Sequence, residues 1–188
     1  IQNEYRVKMV KNWFTRREYR FDVIHNRDGS IMTAGFLLAA SEFIDILALQ
    51  TNPVFIPVRQ KYKGDIEMIM RVYTSHPEHT VGRLDDIILL EKNIRCDHTN
   101  CSHATFAIKM LARGFCFIAR TFNNALSRDD IELNEMFQES YQNTLGPFHN
   151  VVSRNLFNAA MGMCPYKADF FAQLQSGDSL EQTKVDAR

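Results

Sequence analysis

The run Ala104 to Phe122, ATFAIKMLARGFCFIARTF, constrains the fold more than any other stretch of the chain. At about 100° per residue, a helix there places Leu111, Phe115, Ile118 and Phe122 on one side and Phe106, Met110 and Phe117 on another. Lys109, Arg113 and Arg120 share a single narrow stripe. A helix apolar nearly all round must be covered on two faces, so it is expected in the middle of a layered helical protein. An interior Arg113 then requires either a structural carboxylate partner or an anionic ligand, because an unpaired buried guanidinium is costly.

The chain has 188 residues, a length that fits one domain spanning 1–188 with room for a substantial core. Lys plus Arg and Asp plus Glu number 22 each, so no global charge recruits nucleic acid or an anionic membrane. Fourteen Phe and eight Met make a soft, aromatic-rich apolar inventory that suits flexible hydrophobic ligands as well as ordinary packing. Neither a signal peptide nor a run of about 18 apolar residues is visible, and four cysteines suit a reducing compartment, so an intracellular soluble protein is expected.

Within a divergent basic N-terminal segment, residues 1–33, the stretch Ile1 to Arg20 carries Arg6, Lys8, Lys11, Arg16, Arg17 and Arg20 against Glu4 and Glu18. Trp13 and Phe14 lie among these charges, a composition compatible with a membrane interface or with a solvated extension. Phe21 to Ile24, a turn at His25 to Ser30, and Ile31 to Thr33 suggest a small hairpin. Helical spacing then runs from Phe36 through Leu47, from about Tyr62 to Tyr73, and from Gly82 to Arg95, with Asn52 to Val58 held extended by its two prolines. After the central helix, further helices are expected over Ile131 to Leu145, Pro147 to Met161 and Tyr166 to Leu174, before a polar tail over 176–188. The loop Cys96 to His103 holds two Cys and two His, but its C-x-H-x-x-C-x-H spacing matches no common zinc pattern, and no metal is assigned.

The order PVFIPV, KGDIEMIMRVY, EKN, ATFAIKMLARGFCFI, PFHNVVSRNLFNAA and PYKADFFAQL resembles the glycolipid transfer protein family, in register from about Phe36 to Leu174. The resemblance implies an all-α, two-layer helical sandwich that takes the acyl chains of a sphingolipid into a collapsible apolar tunnel and holds the headgroup at its mouth. It implies a non-enzymatic lipid carrier without a cofactor, acting as a cytoplasmic monomer in transient contact with membranes. A lipid sensor or scaffold of the same fold is the alternative.

In that family the headgroup site is an Asp, an Asn and a Lys on one helix, a Trp on the central helix and a His that bonds the ceramide. The matching positions here are Lys61, Asp65, Met68, Met110 and His149, so only the histidine is kept. Lys61 cannot accept the proton a carboxylate would, and Met68 and Met110 offer neither hydrogen bonds nor a flat sugar platform. Asp65 can still accept from hydroxyls, while Lys61, and Arg113 if it faces the mouth, suit an anionic headgroup.

Tunnel positions implied by the same register are Leu47, Phe55, Val58, Phe106, Phe117, Leu145, Val152 and Phe157, all apolar. The family's membrane-docking Trp is replaced by Val151, which leaves Tyr166 and Lys167 as docking residues, with Trp13 as a possible substitute. Family members also continue into one more long helix after the counterpart of Ser176-Gly177-Asp178. Its packing is expected either from chain not contained in the sequence or from the basic N-terminal segment.

Overall fold

A computed structural model describes residues 21, 24–48, 53–93 and 104–175. Trp13, the basic segment before it and the Cys96 to His103 loop lie outside these residues. Eight α-helices are present among them: α1 Thr33–Ile44, α2 Ile56–Ser75, α3 Glu78–Val81, α4 Leu84–Asn93, α5 Ala104–Ser127, α6 Leu133–Asn143, α7 Val151–Gly162 and α8 Lys167–Gln175. Short 3-10 turns follow α1 at Asp45–Ala48 and precede α2 and α7 at Pro53–Phe55 and Gly146–Phe148. The all-helical layered sandwich is the expected one, with α5 packed against α2, α4 and α6, and α1 lying on α2.

Of the expected hairpin, the described residues contain the turn and the pairing next to it, with Met32 N–H donating to the Ile24 carbonyl at 3.0 Å. His25 and Ile31 form one isolated antiparallel bridge around it, and Gly29 takes a φ of 81°, a left-handed conformation that glycine adopts without steric cost. Ile31 and Thr33 then bond across to the start of α4, through Leu84 N–H to the Ile31 carbonyl at 3.1 Å and Thr33 N–H to the Gly82 carbonyl at 2.8 Å. Asp28 joins the same junction by pairing with Arg83. Thr33, fully buried, donates its hydroxyl to the Val81 carbonyl.

Helix α2 corrects the reading of PVFIPV as an extended segment. The helix is already under way at Ile56, and Pro57 occupies its first turn, where a missing N–H leaves no bond unmade and the fixed φ is helical. Its buried face is Val58, Tyr62, Asp65, Ile66, Ile69 and Val72, a period of three to four residues interrupted by one carboxylate. Met70 is exposed.

Helix α5 is amphipathic rather than buried all round. Ala104, Ala107, Leu111, Gly114, Phe117, Ile118, Thr121, Phe122 and Ala125 are buried, whereas Lys109, Ala112, Cys116 and Arg120 face outward. Gly114 is the point of closest approach to α2. A Cβ built there falls 2.5 Å from Cε1 and the hydroxyl of Tyr62, so only glycine lets that side chain come so close to the helix. The first turn of α5 is capped across the chain by Glu91 of α4, whose carboxylate accepts from Ala104 N–H at 2.9 Å and Thr105 N–H at 2.7 Å. Those are two of the four donors that a helix start leaves unpaired, and a negative charge there also meets the positive end of the helix dipole.

Two apolar clusters result. One joins α1, α2, α4 and the first half of α5, and the other joins the second half of α5 to α6, α7 and α8. Leu47 and Phe157 pack against both.

Gly114→Ala gains about 1 kcal/mol of helix propensity but must displace an aromatic ring that is itself buried, at a cost of roughly 1–3 kcal/mol. A lowered melting temperature is expected for Gly114→Ala. Glu91→Ala should cost about 1–2 kcal/mol in denaturant titration by removing the cap of α5, with Glu91→Gln intermediate.

Candidate functional site

Two cavities meet at the junction of α2, α5 and α7. The first holds about 70 Å³ and is lined by Leu47, Phe55, Val58, Phe117, Phe157 and neighbouring apolar side chains of α5, α6, α7 and α8. Its polar groups are the Tyr62 hydroxyl and the Cys164 thiol, and burial pushes that thiol up to about 12. The second holds about 420 Å³ and carries the polar groups Lys61, Asp65, His149, Asn150 and Ser153 beside Met110, Leu145 and Phe148. Val58, Tyr62 and Phe157 line both. A dry compartment therefore sits behind a polar one, separated by three shared side chains.

The apolar compartment is nearly closed by aromatic contacts. Phe117 meets Phe137, Tyr141 and Phe157 with ring centroids 5.6, 6.4 and 6.2 Å apart. Such pairs contribute about 0.5–1.5 kcal/mol each beyond burial, yet a ring can turn about its Cα–Cβ bond without breaking backbone structure. The present volume has no room for an alkyl chain, so accommodating one requires these rings to part.

His149 stands between two structured pieces rather than on a helix face as expected. It is the extended residue, φ −92° and ψ 137°, that ends the 3-10 turn at Gly146–Phe148, just before Asn150 opens α7 by accepting from Ser153 N–H at 2.9 Å. Its ring lies 4.8 Å from that of Phe157, and Nδ1 is 3.0 Å from the Tyr141 hydroxyl. Burial lowers its pKa, with the Arg154 charge adding to the effect, while burial raises that of Tyr141. A protonated Tyr141 hydroxyl donating to Nδ1 leaves the ring proton on Nε2, free to donate into the cavity.

On α2, Lys61 and Asp65 form an ion pair one turn apart, through Asp65 Oδ1. Lys61 is 57% exposed and Asp65 only 2%. Asp65 Oδ2 is buried without a hydrogen-bond partner. Burial raises the Asp65 pKa, opposed by Lys61, and burial together with the Asp65 charge raises that of Tyr62.

Other expected positions fall elsewhere. Met68 packs on the cluster around α1 and α2 and does not line the polar cavity, because it lies two turns, about 10 Å, farther along α2 than Lys61. Arg113 takes no carboxylate partner among the described residues. Its guanidinium lies 3.4 Å from the centre of the Phe148 ring, at the rim of the polar cavity.

Leu145 lines the polar cavity, not the apolar one. Phe106 is corrected to an exposed residue, at 54%, although it shares a helix face with buried Phe117. Eleven residues, about 16 Å, separate them, and the rings of α6 and α7 cover only the Phe117 end. Val152 is likewise corrected to a surface position, 77% exposed, because α7 begins at Val151 and its first turn faces outward. Lys167 is corrected from a docking residue to a structural one. Its side chain is 11% exposed and its ammonium donates to the Arg128 carbonyl at 2.6 Å, just past the end of α5, where a cation is favoured. Tyr166 is 71% exposed.

Tyr62 and Tyr141, both part of the cavity walls or their support, were not singled out by the sequence. Tyr62 had a visible signal, lying four residues after Val58 and three before Asp65 on one helix face. Tyr141 had none, since its role depends on the turn that brings His149 back to it.

A layered helical fold with a dry compartment behind a polar mouth defines a class of helical proteins built around an internal apolar space. Residues 31–176 match the model of the glycolipid transfer protein family, and the chain belongs to that family. It is 28% identical over 174 residues to a glycolipid transfer protein of Aureobasidium melanogenum, covering 93% of this chain and 82% of that one. It is also 28% identical over 155 residues to the glycolipid transfer protein of Danio rerio, covering 80% and 74%. The crystal structure of HET-C2, a fungal glycolipid transfer protein, superposes with a TM-score of 0.79 at 26% identity, over 93% of this chain and 90% of the other. Apo mouse ceramide-1-phosphate transfer protein gives a TM-score of 0.81 at 15% identity, over 94% and 87%, a likeness of fold alone.

The lowered His149 pKa fixes the sign of a pH dependence. The unfolded histidine binds its proton near pH 6.5 and the folded one only below that, so His149 favours the fold fully above about pH 6.5 and loses that contribution as pH falls through the folded value. The fall in denaturant midpoint between about pH 7.5 and 5.5 should therefore be smaller in His149→Asn than in the wild type.

Proposed function

We propose that the chain is a non-enzymatic carrier that takes a glycolipid or other sphingolipid from one membrane and delivers it to another. The observation that carries this reading is the shared wall: an apolar compartment that can receive alkyl chains opens, past Val58, Tyr62 and Phe157, directly onto a polar compartment that can receive a headgroup. Relatives bearing the glycolipid transfer name support it. The chains enter as the Phe117, Phe137 and Phe157 rings separate, and His149 donates from Nε2 to an acceptor on the polar end of the lipid.

No covalent step is involved. The cargo leaves as it came, and the polar cavity serves to recognise rather than to react. Docking is peripheral, at a cytoplasmic membrane face, through exposed Tyr166 and the apolar rim residues Phe148, Val151 and Val152. Among the described residues no helix is long and apolar enough to cross a bilayer. The carrier works as a monomer.

Transfer of fluorescent galactosylceramide between phosphatidylcholine vesicles should be accelerated by the wild-type protein, and native mass spectrometry should show one lipid per chain. Bound lipid without acceleration would replace the carrier by a sensor or scaffold. Protein that stays empty against neutral glycosphingolipids, ceramide-1-phosphate and sulfatide alike would overturn both. His149→Ala should weaken lipid binding by about 1–3 kcal/mol, roughly 5- to 150-fold, while the far-UV spectrum is kept.

A further inference from the structure

The apolar compartment has a far end as well as a mouth. Val58, Tyr62 and Phe157 bound it toward the polar cavity, and Phe122, Leu133 and Phe170 are among the side chains that line it away from that shared wall. Tyr62 meets α5 at Gly114, and Phe122 lies eight residues farther along the same helix, about 12 Å. There Phe122 and Phe170 of α8 face each other, with ring centroids 5.9 Å apart and planes tilted by 32°. Both rings are buried. Ala125, Phe171 and Leu174, which do not line the compartment, are almost wholly buried in the same apolar cluster.

The two ends differ in what stands behind their rings. Phe157 borders the 420 Å³ cavity and Phe137 is half-buried, so the rings nearer the mouth have space to turn into when a chain arrives. Phe122 and Phe170 have packed core behind them, and a ring pushed into a close-packed interior forces its neighbours off their rotamers. A chain entering past the shared wall therefore opens the near end and stops at the far one. An extended alkyl chain advances about 1.3 Å per methylene, the projection of a tetrahedral C–C bond, so a depth of about 12 Å holds roughly nine methylenes.

We infer that Phe122 and Phe170 are specificity-determining residues that limit the length of alkyl chain the compartment takes. Among lipids that share one polar end, the pair disfavours those with very long acyl chains. The assignment rests on the carrier reading above and deepens it, since it defines the cargo by its chains and not by its headgroup.

The test offers each protein phosphatidylcholine vesicles holding equal amounts of two galactosylceramides, N-octanoyl and N-lignoceroyl, on one sphingoid base. Native mass spectrometry reads the bound species, whose masses differ only through the acyl chain. Every variant draws on the same vesicles, so the cost of leaving the bilayer is common to all of them and a changed ratio reports the compartment. Phe170→Ala should raise the bound ratio of lignoceroyl to octanoyl lipid about threefold or more over the wild type, because the space left by the ring admits further methylenes. Phe122→Leu and Phe170→Leu, which remove less volume, should raise it by less. Phe171→Leu loosens the same cluster without touching the compartment and should leave the ratio where it is.

Ratios within about 1.5-fold of the wild type in Phe122→Leu and Phe170→Ala alike, or a rise of the same size in Phe171→Leu, would overturn the assignment while leaving the carrier reading intact. Should Phe170→Ala fail to fold, Phe122→Leu and Phe170→Leu decide against Phe171→Leu by the same comparison. A wild type that binds neither lipid overturns the carrier reading and this assignment together.

Discussion

The contact between Gly114 and the Tyr62 ring is the constraint on which the rest of the structure depends. A glycine inside a helix costs about 1 kcal/mol relative to alanine, and burying an aromatic side chain returns roughly 2–3 kcal/mol, so the exchange favours close approach of α2 and α5. That approach sets where everything else on α2 points. With Tyr62 against α5, Val58 and Asp65 on the same face are turned toward α7, and the one ring becomes a wall of both cavities. The dry and polar compartments are adjacent because a single residue bounds both of them. The second cluster then only has to close over the far end of α5, which Phe117, Phe137 and Phe157 do with edge-on and tilted contacts.

The polar compartment is held less economically than the apolar one. Asp65 is buried with half its carboxylate unpaired, and His149 is kept neutral in an extended residue between two helical pieces. Neither arrangement maximises the stability of the lipid-free fold. Both make sense where the missing partners arrive with a ligand, because interactions deferred until binding contribute to affinity rather than to folding. The same division appears at Lys167 and Glu91, whose charges are spent on helix ends and are therefore withdrawn from any surface role.

Much of the architecture was legible in the sequence because it rests on period and order. The helical pattern of α1, α2, α4, α5 and α6, and the register of the strings that resemble the family, placed the core of the chain near its observed elements. Pro57 misled, since proline reads as a helix breaker unless it falls in a first turn, and the start of α2 was set by packing rather than by that residue. The apolar faces were harder. Phe106 and Phe117 are indistinguishable by helical angle, and only the length covered by α6 and α7 separates an exposed ring from a buried one. At the candidate site, Lys61, Asp65, Met110 and His149, grouped by the resemblance, line one cavity. The Lys61 to Asp65 pairing was legible in their i, i+4 spacing. Phe148 over Arg113 and Tyr141 behind His149 were not available, because each depends on the turn at Gly146–Phe148.

The balance between the compartments also bears on how selectivity can arise. Each methylene moved from water to an apolar space is worth about 0.8 kcal/mol, but a lipid leaving a bilayer gives up that same environment, so its chains exchange one apolar medium for another at little net gain. An apolar compartment of this kind therefore admits chains without discriminating strongly among lipids that carry similar ones. Opening it also separates aromatic pairs that the empty protein makes, a cost common to every cargo. What distinguishes one such lipid from another must be read in the polar compartment, where a few hydrogen bonds made in a poorly hydrated space carry the difference. Met110 and Asp65 both line that compartment, the one apolar and the other with a buried, unpartnered oxygen. Lys61 and Asp65 line only the polar compartment, so a change at either leaves the walls of the compartment for the chains untouched.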